Sequence, residues 1–214
     1  GRNSIEHEAI AAKERDYEYI AITDHSRALG ITKGLDVERL DKQIEEIKKL
    51  NRKLNGLRVL AGMEVDIHAD GKLDMPDEAL AKLDFVIAAI HSGFNESRDK
   101  MTGRIIEAME NPNVDMLAHP TCRLLPGREP VVVDMEEIFK AARRTGTILE
   151  INASPGRLDI KDTHIYRARE LGVKMIVSTD SHSVEHFGFI RFGIGIARRG
   201  WCEAKDVLNT LPIG

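Results

Sequence analysis

Cysteine is scarce: Cys122 and Cys202 stand alone in 214 residues and form no CxxC pair. That spacing excludes a disulfide framework or a thiolate zinc cage and points to a reducing, cytoplasmic compartment. No apolar run approaches the roughly 18 residues that cross a bilayer, so no membrane partner is expected. The opening GRNSIEHEAI lacks the apolar core of a signal peptide. Low-complexity tracts and linkers are also missing, so residues 1–214 read as one domain. No GxSxG nucleophile elbow occurs. Positive charge is not in excess either. The net charge is −4, with 17 Lys+Arg against 23 Asp+Glu in residues 1–120 and 14 against 12 in 121–214. An independent, strongly basic nucleic-acid-binding domain is thereby excluded, and any such contact must be local or assisted by another domain. Nothing suggests an obligate dimer, so a monomer is expected.

What the chain does contain is an alternation. Short β-branched runs recur as YIAIT (19–23), RVLAGMEVDI (58–67), FVIAAI (85–90), VDMLA (114–118), TILEI (147–151) and KMIVST (174–179). Each is short, apolar and bounded by turn residues, which predicts strands buried on both faces. Helical patterns lie between them. Asp36 is placed to cap a stripe of Val37, Leu40, Ile44, Ile47, Leu50 and Leu54 that Gly56 stops. Asp134 with Glu137 forms a capping-box pattern for a helix ending at Gly146, and Asp162 with Gly172 brackets another. Asn3 or Ser4 caps an opening helix. Strand–helix alternation implies parallel strands with helices outside, an α/β sheet or barrel.

The chemistry clusters where those strands end. AITDHS (21–26) and VSTDSH (177–182) each close an apolar run with an acid and a histidine. Glu64 follows RVLAGM, His91 follows FVIAAI, His119 follows VDMLA and Asn152 follows TILEI. In parallel α/β folds the carboxyl ends of the strands share one rim, where ligands bind. His25, His91, His119 and His182 with Glu64 and Asp180 on that rim make a metal site of the kind that suits zinc, manganese or iron. So many ligands exceed the need of one ion and suggest two or three, an arrangement that activates water and clamps phosphate oxygens. Arg123 and Arg157, in the loops beyond His119 and Asn152, could grip a phosphate or could be ordinary surface arginines. His7 and His164 read as solvated, and His68 as a surface residue despite sharing the Glu64–Asp66–His68 alternation. His186 could support the site or lie on a loop surface.

AITDHS, GMEVDI, AAIHSGF, LAHPT and STDSH, in this order, resemble the PHP (polymerase and histidinol phosphatase) superfamily. The tracts HSGFNESRDKMTGRIIEAMENPNVDMLAHPTCRLL, EINASPGRLDIKD and GIGIARRGWCEAKDVLNTL are similar to the C-terminal PHP domain of bacterial and archaeal family X DNA polymerases. The resemblance implies a distorted seven-stranded (β/α) TIM-like barrel with up to three divalent ions. It makes Glu64 a bridge between two ions, His91 and His119 holders of one and Asp180 a holder of the other. His25 and His182 then serve the third. Glu64 and Asp180 are also the expected catalytic carboxylates, and Arg123, Arg157 and Asn152 the substrate-binding residues. The implied activity is metal-dependent 3′–5′ exonuclease, with related 3′-phosphatase and abasic-site cleavage at DNA 3′ ends, in repair and alongside a polymerase domain. Family members open with a strand ending in a DxHxH-type motif. The resemblance therefore implies that this strand and its ligands precede Gly1, leaving a shortened chain with fewer ions. Two alternatives remain beside it: a catalytically inactive structural module of the polymerase, and a phosphatase of small molecules such as histidinol phosphate.

Overall fold

The structure, a computed structural model, describes residues 3–27 and 34–213. Gly1 and Arg2, where the resemblance ends the family's first turn, lie outside them. Six strands, β1 (Tyr19–Ile22), β2 (Arg58–Asp66), β3 (Phe85–Ala89), β4 (Met116–Leu117), β5 (Ile148–Asn152) and β6 (Met175–Ser178), run parallel, each beside its neighbour in sequence. They curl into a half-barrel with seven α-helices among the described residues, a distorted TIM-like architecture. The strands are those read from the sequence, except that β4 forms a ladder over only two residues. Asp115 just before it turns its carboxylate to accept the Val86 amide at 2.8 Å.

Alternation along the strands sorts side chains into two layers. Met63, Val65, Val86, Ala88, Ile90, Leu117, Leu149 and Ile151 face outward and pack under the helices in the main core. Ile87, Ala89, Met116 and Ala118, with Phe85, Ile148 and Ile176 beside them, form a separate inner cluster. Met63, Leu149, Ile151 and Met175 are fully buried, each contributing about 1.5–3 kcal/mol. The same parity turns Glu64, Asp66, Glu150 and Asn152 inward. Glu64 and Glu150 share a cleft of about 760 Å³ with Ile20, Ile22 and Ile87.

Helix boundaries follow local chemistry. Ser4 caps α1 (Ile5–Lys13) by accepting the His7 amide, and Asp36 caps α2 (Val37–Asn51) by accepting from Arg39. Asp134 accepts from Glu136 and Glu137 at the start of α5 (Met135–Thr145), which ends on Gly146 at φ 84°. Asp162 opens α6 (Asp162–Glu170) from the first helical position, one residue later than a cap. Three helices had no such announcement: the single turn α3 (Asp77–Leu80), α4 (Arg98–Met109) and α7 (Ile190–Arg199) have no side-chain cap bond. The last continues directly from a 3₁₀ helix, Val184–Phe189. It sits hard against β5 and β6, because a Cβ on Gly193 would stand 2.5 Å from Val177 Cγ1 and 2.8 Å from Ala153 Cβ.

His164 is not the solvated residue its helical setting predicts. It is half-buried near Phe139, and burial, with the nearby charges of Lys161 and Arg123, pushes its pKa down to about 4. At the outer edge of β6 the Asn209 side chain imitates a strand. It accepts the Val177 amide at 3.2 Å and donates to the Val177 carbonyl at 2.8 Å.

Candidate metal centre

Glu64 is the hub. β2 carries it inward, and the segment after β1 is laced alongside: the Glu64 amide donates to Asp24 O and the Ser26 amide donates to Glu64 O. That pairing sets His25 beside the carboxylate, with Nδ1 3.7 Å from Glu64 Oε2. His91, just past β3, brings Nε2 to 3.3 Å from Oε1, and His119, just past β4, brings Nε2 to 3.0 Å. The imidazoles stand edge to face, His91 with its centroid 5.1 Å from His25 and 5.2 Å from His119.

Two carboxylates that the sequence reading did not select hold this group in place. Asp66 lies two residues beyond Glu64, on the same face of β2, and meets His91 Nδ1 at 2.5 Å. A carboxylate on the far nitrogen fixes the ring's orientation and leaves Nε2 to bind a ligand. Glu150, mid-strand in β5, accepts the His119 amide at 2.5 Å and Asn152 Nδ2 at 3.2 Å, and its other oxygen accepts the Ser178 hydroxyl. Both were visible in outline. An acid inside an otherwise apolar strand run, at the parity of a neighbouring ligand, is the signal that finds them.

The β6 side is looser. Asp180 Oδ2 accepts Asn152 Nδ2 at 3.2 Å and lies 3.3 Å from Arg157 Nε. His182 turns Nδ1 to the Asp180 carbonyl at 2.9 Å and is otherwise exposed. The structure thus gathers His25 with Glu64 and His91, and leaves His182 beside Asp180. Asn152 is fully buried, tying Glu150 to Asp180 and accepting the Ser154 amide. Arg123 spends Nε on the Arg157 carbonyl at 2.9 Å and Nη2 on the Leu158 carbonyl, so it braces the loop that carries Arg157. Arg157 Nη1 is buried without a hydrogen-bond partner. His68 is half-exposed beside Asp74, as its turn predicts.

The electrostatics follow from this packing. Burial works against charge on Glu64, but hydrogen bonds from His119 and His91, and the charges of His119 and His25, outweigh it and hold the carboxyl well below its ordinary range. Burial likewise opposes charge on His91, and its bonds to Asp66 and Glu64 prevail, raising it. Glu150 goes the other way, pushed up to about 7 by burial against the partly compensating charge of His119. His119 and Asp180 adopt φ of 27° and 49°. Such left-handed backbone on non-glycine residues costs on the order of 1–3 kcal/mol and concentrates at functional sites.

The donor set fits a divalent cation. His25, Glu64 and His91 each offer a ligand atom, all within 4.8 Å of one another. His25 Nδ1 and Asp66 Oδ2 are buried with no hydrogen-bond partner among the described residues, a cost that a cation would relieve. Mixed imidazole and carboxylate donors suit zinc, manganese or iron.

A family model for the PHP domain matches residues 1–154. The chain belongs to the PHP domain family. This PHP domain is 43% identical over 210 residues to the DNA polymerase/3′-5′ exonuclease PolX of Bacillus subtilis (strain 168). The match takes in 98% of this chain and 37% of that relative's length. It is 30% identical over 218 residues to a probable phosphatase of Thermoanaerobacter sp. (strain X514), covering 97% of this chain and 84% of that protein. A probable phosphatase of Caldanaerobacter subterraneus is 34% identical over 174 residues, 77% of this chain and 66% of the relative. These likenesses support a phosphoesterase role for the PHP domain. No helix among the described residues is long and apolar enough to cross a membrane.

Proposed function

We propose that this PHP domain is a metal-dependent phosphoesterase acting on DNA 3′ ends as a 3′–5′ exonuclease, in association with a polymerase domain. The observation that carries the reading is Glu64 amid three imidazoles at one strand rim. The likeness to an exonuclease-bearing polymerase over 98% of the chain supports the choice of substrate. Glu64, His91, His119 and His25 would hold divalent ions on one side and Asp180 with His182 on the other. Ions so bound supply Lewis acidity toward a phosphoryl oxygen and activate the attacking water.

The remaining steps belong to the chain's own groups. Asp66 keeps the His91 Nδ1 proton, so that Nε2 stays a donor of electrons. Arg157, held by Asp180 through Nε, would set its guanidinium charge near a phosphate oxygen as charge develops there. Arg123 and Asn152 serve from behind, fixing the Arg157 loop and the Asp180 carboxylate.

A 5′-labelled, 3′-recessed duplex incubated with Mn²⁺ tests this. Shortening from the 3′ end that His91→Ala abolishes is the expected result. Equal degradation by both proteins overturns it, and turnover of histidinol phosphate without attack on DNA makes the chain a small-molecule phosphatase instead.

A further inference from the structure

The tract from Ser181 to Gly200 begins at the rim and supplies far more than His182. Four rings follow one another along it. His182 and His186 lie 6.4 Å apart, His186 stacks on Phe189 at 4.7 Å and 22°, and Phe189 leads to Phe192 at 6.3 Å. The ladder is tied to the rim, because the His182 amide donates to His186 Nδ1 at 3.2 Å. At its outer end the Arg191 guanidinium lies 4.7 Å over the Phe192 ring. Phe189 leans on the main core, whereas Phe192 is half-buried and does not join the partly buried residues packed there.

Charge on this tract runs opposite to that of the chain. Residues 181–200 contain Arg191, Arg198 and Arg199 against the single acid Glu185, while the whole protein carries −4. Asp162 engages Arg199 at 2.7 Å; Arg191 and Arg198 are exposed. The glycines add a further sign. Gly193 is required by packing against Val177 and Ala153, but a Cβ on Gly188 or Gly195 would meet nothing within 4 Å. Neither has positive φ. A glycine inside a helix costs about 1 kcal/mol relative to alanine, so these two weaken the element without serving the fold. What they do provide is bare backbone beside the rings, open to close approach.

We infer that His186, Phe189, Phe192 and Arg191 form a stacking shelf for single-stranded nucleic acid, holding the bases 5′ of the phosphodiester presented to the metal centre. Rings in series accept bases of any sequence by stacking, and the arginines track the backbone. The shelf gives a locally positive footing on a protein whose net charge disfavours nucleic acid. This inference rests on the reading of DNA 3′ ends as the substrate.

The test is binding of a short oligothymidylate carrying 2-aminopurine near its 3′ end, which needs no turnover. The intact chain should bind it and quench the 2-aminopurine. Phe192→Ala should weaken binding about tenfold and reduce the quench, and Phe192→Trp should restore both. Gly195→Asp places an acid where the fold has open space, and it should weaken binding most at low salt. Hydrolysis of bis(p-nitrophenyl) phosphate should stay within about twofold in all three, as none of them touches the metal centre, and unchanged melting temperatures verify their folding. Undiminished binding and quenching in both Phe192→Ala and Gly195→Asp overturn the shelf while leaving the substrate reading intact. An intact chain that hydrolyses the small diester yet binds no oligonucleotide overturns both.

Discussion

The two sides of the rim differ in a way that bears on what each can do. Around β2, β3 and β4 the ligands and the carboxylate behind them are submerged: His119 is 2% exposed, Glu64 8% and Asp66 7%. Each has a carboxylate or imidazole partner fixing it. Beside β6 the His182 side chain is 59% exposed, with Nδ1 2.9 Å from the Asp180 carbonyl and 3.7 Å from its carboxylate. Position in the sheet accounts for the contrast. The inner strands are paired on both flanks, whereas β6 pairs with β5 alone and closes its other flank with single residues. A buried, cross-braced half keeps its ligands in place before any ion arrives, and an exposed half leaves room for a phosphate ester to enter. Electrostatic pre-organisation and access are thus divided between two parts of one rim.

The sharpest way to break this contrast is Glu64→Ala, which removes the group that three imidazoles share. Elemental analysis should find the purified variant depleted of metal, with hydrolysis reduced more than about a hundredfold, and chelation of the intact protein should mimic it. Asp66→Asn comes next. It leaves every ligand in place but loosens His91, and metal titration should report affinity about 10–100-fold weaker. His182→Ala should weaken metal affinity by less than about tenfold, because an exposed ring has little pre-organisation to lose. A loss matching that of Asp66→Asn would mean that the two sides are equally committed to the ion.

A last prediction lies away from the rim and separates acid sensitivity of the scaffold from that of the site. His164 has its folded pKa near 4, below the ordinary histidine value of 6.5. The unfolded chain therefore binds a proton between those limits and the folded chain does not. Its contribution to stability is complete above pH 6.5 and declines as pH falls toward 4. It amounts to about 2 kcal/mol after allowance for partial exposure. His164→Gln should flatten that part of the curve of stability against pH, measured by urea unfolding of chelated protein.

Much of this was legible in the residues. The six runs became six strands because β-branched apolar stretches with turns at both ends have few other ways to be buried. Helices with a capping aspartate, α2 and α5, were readable for the same local reason. α4 and α7 were not, since Ser97 and Phe189 make no cap bond and only tertiary packing fixes their starts. The rim ligands could be read from their place after each run, but the groups behind them could not be assigned without register. Asp66 needs the His91 ring brought across from β3, and Glu150 needs the His119 amide brought across from β4. Arg123 depends on carbonyls more than 30 residues downstream, in a loop whose path no local pattern describes.

Asn209 has a consequence beyond the fold it finishes. A strand with an unpaired flank is a template on which another copy of the chain can dock, and sheet proteins must disarm such flanks to stay dispersed. With its amide clasping Val177 from both sides, Asn209 occupies the hydrogen-bonding position that a foreign strand would seek first. One side chain thus guards colloidal behaviour: Asn209→Leu would preserve its bulk but uncover the flank, and slow fibril growth on storage is where the change would surface.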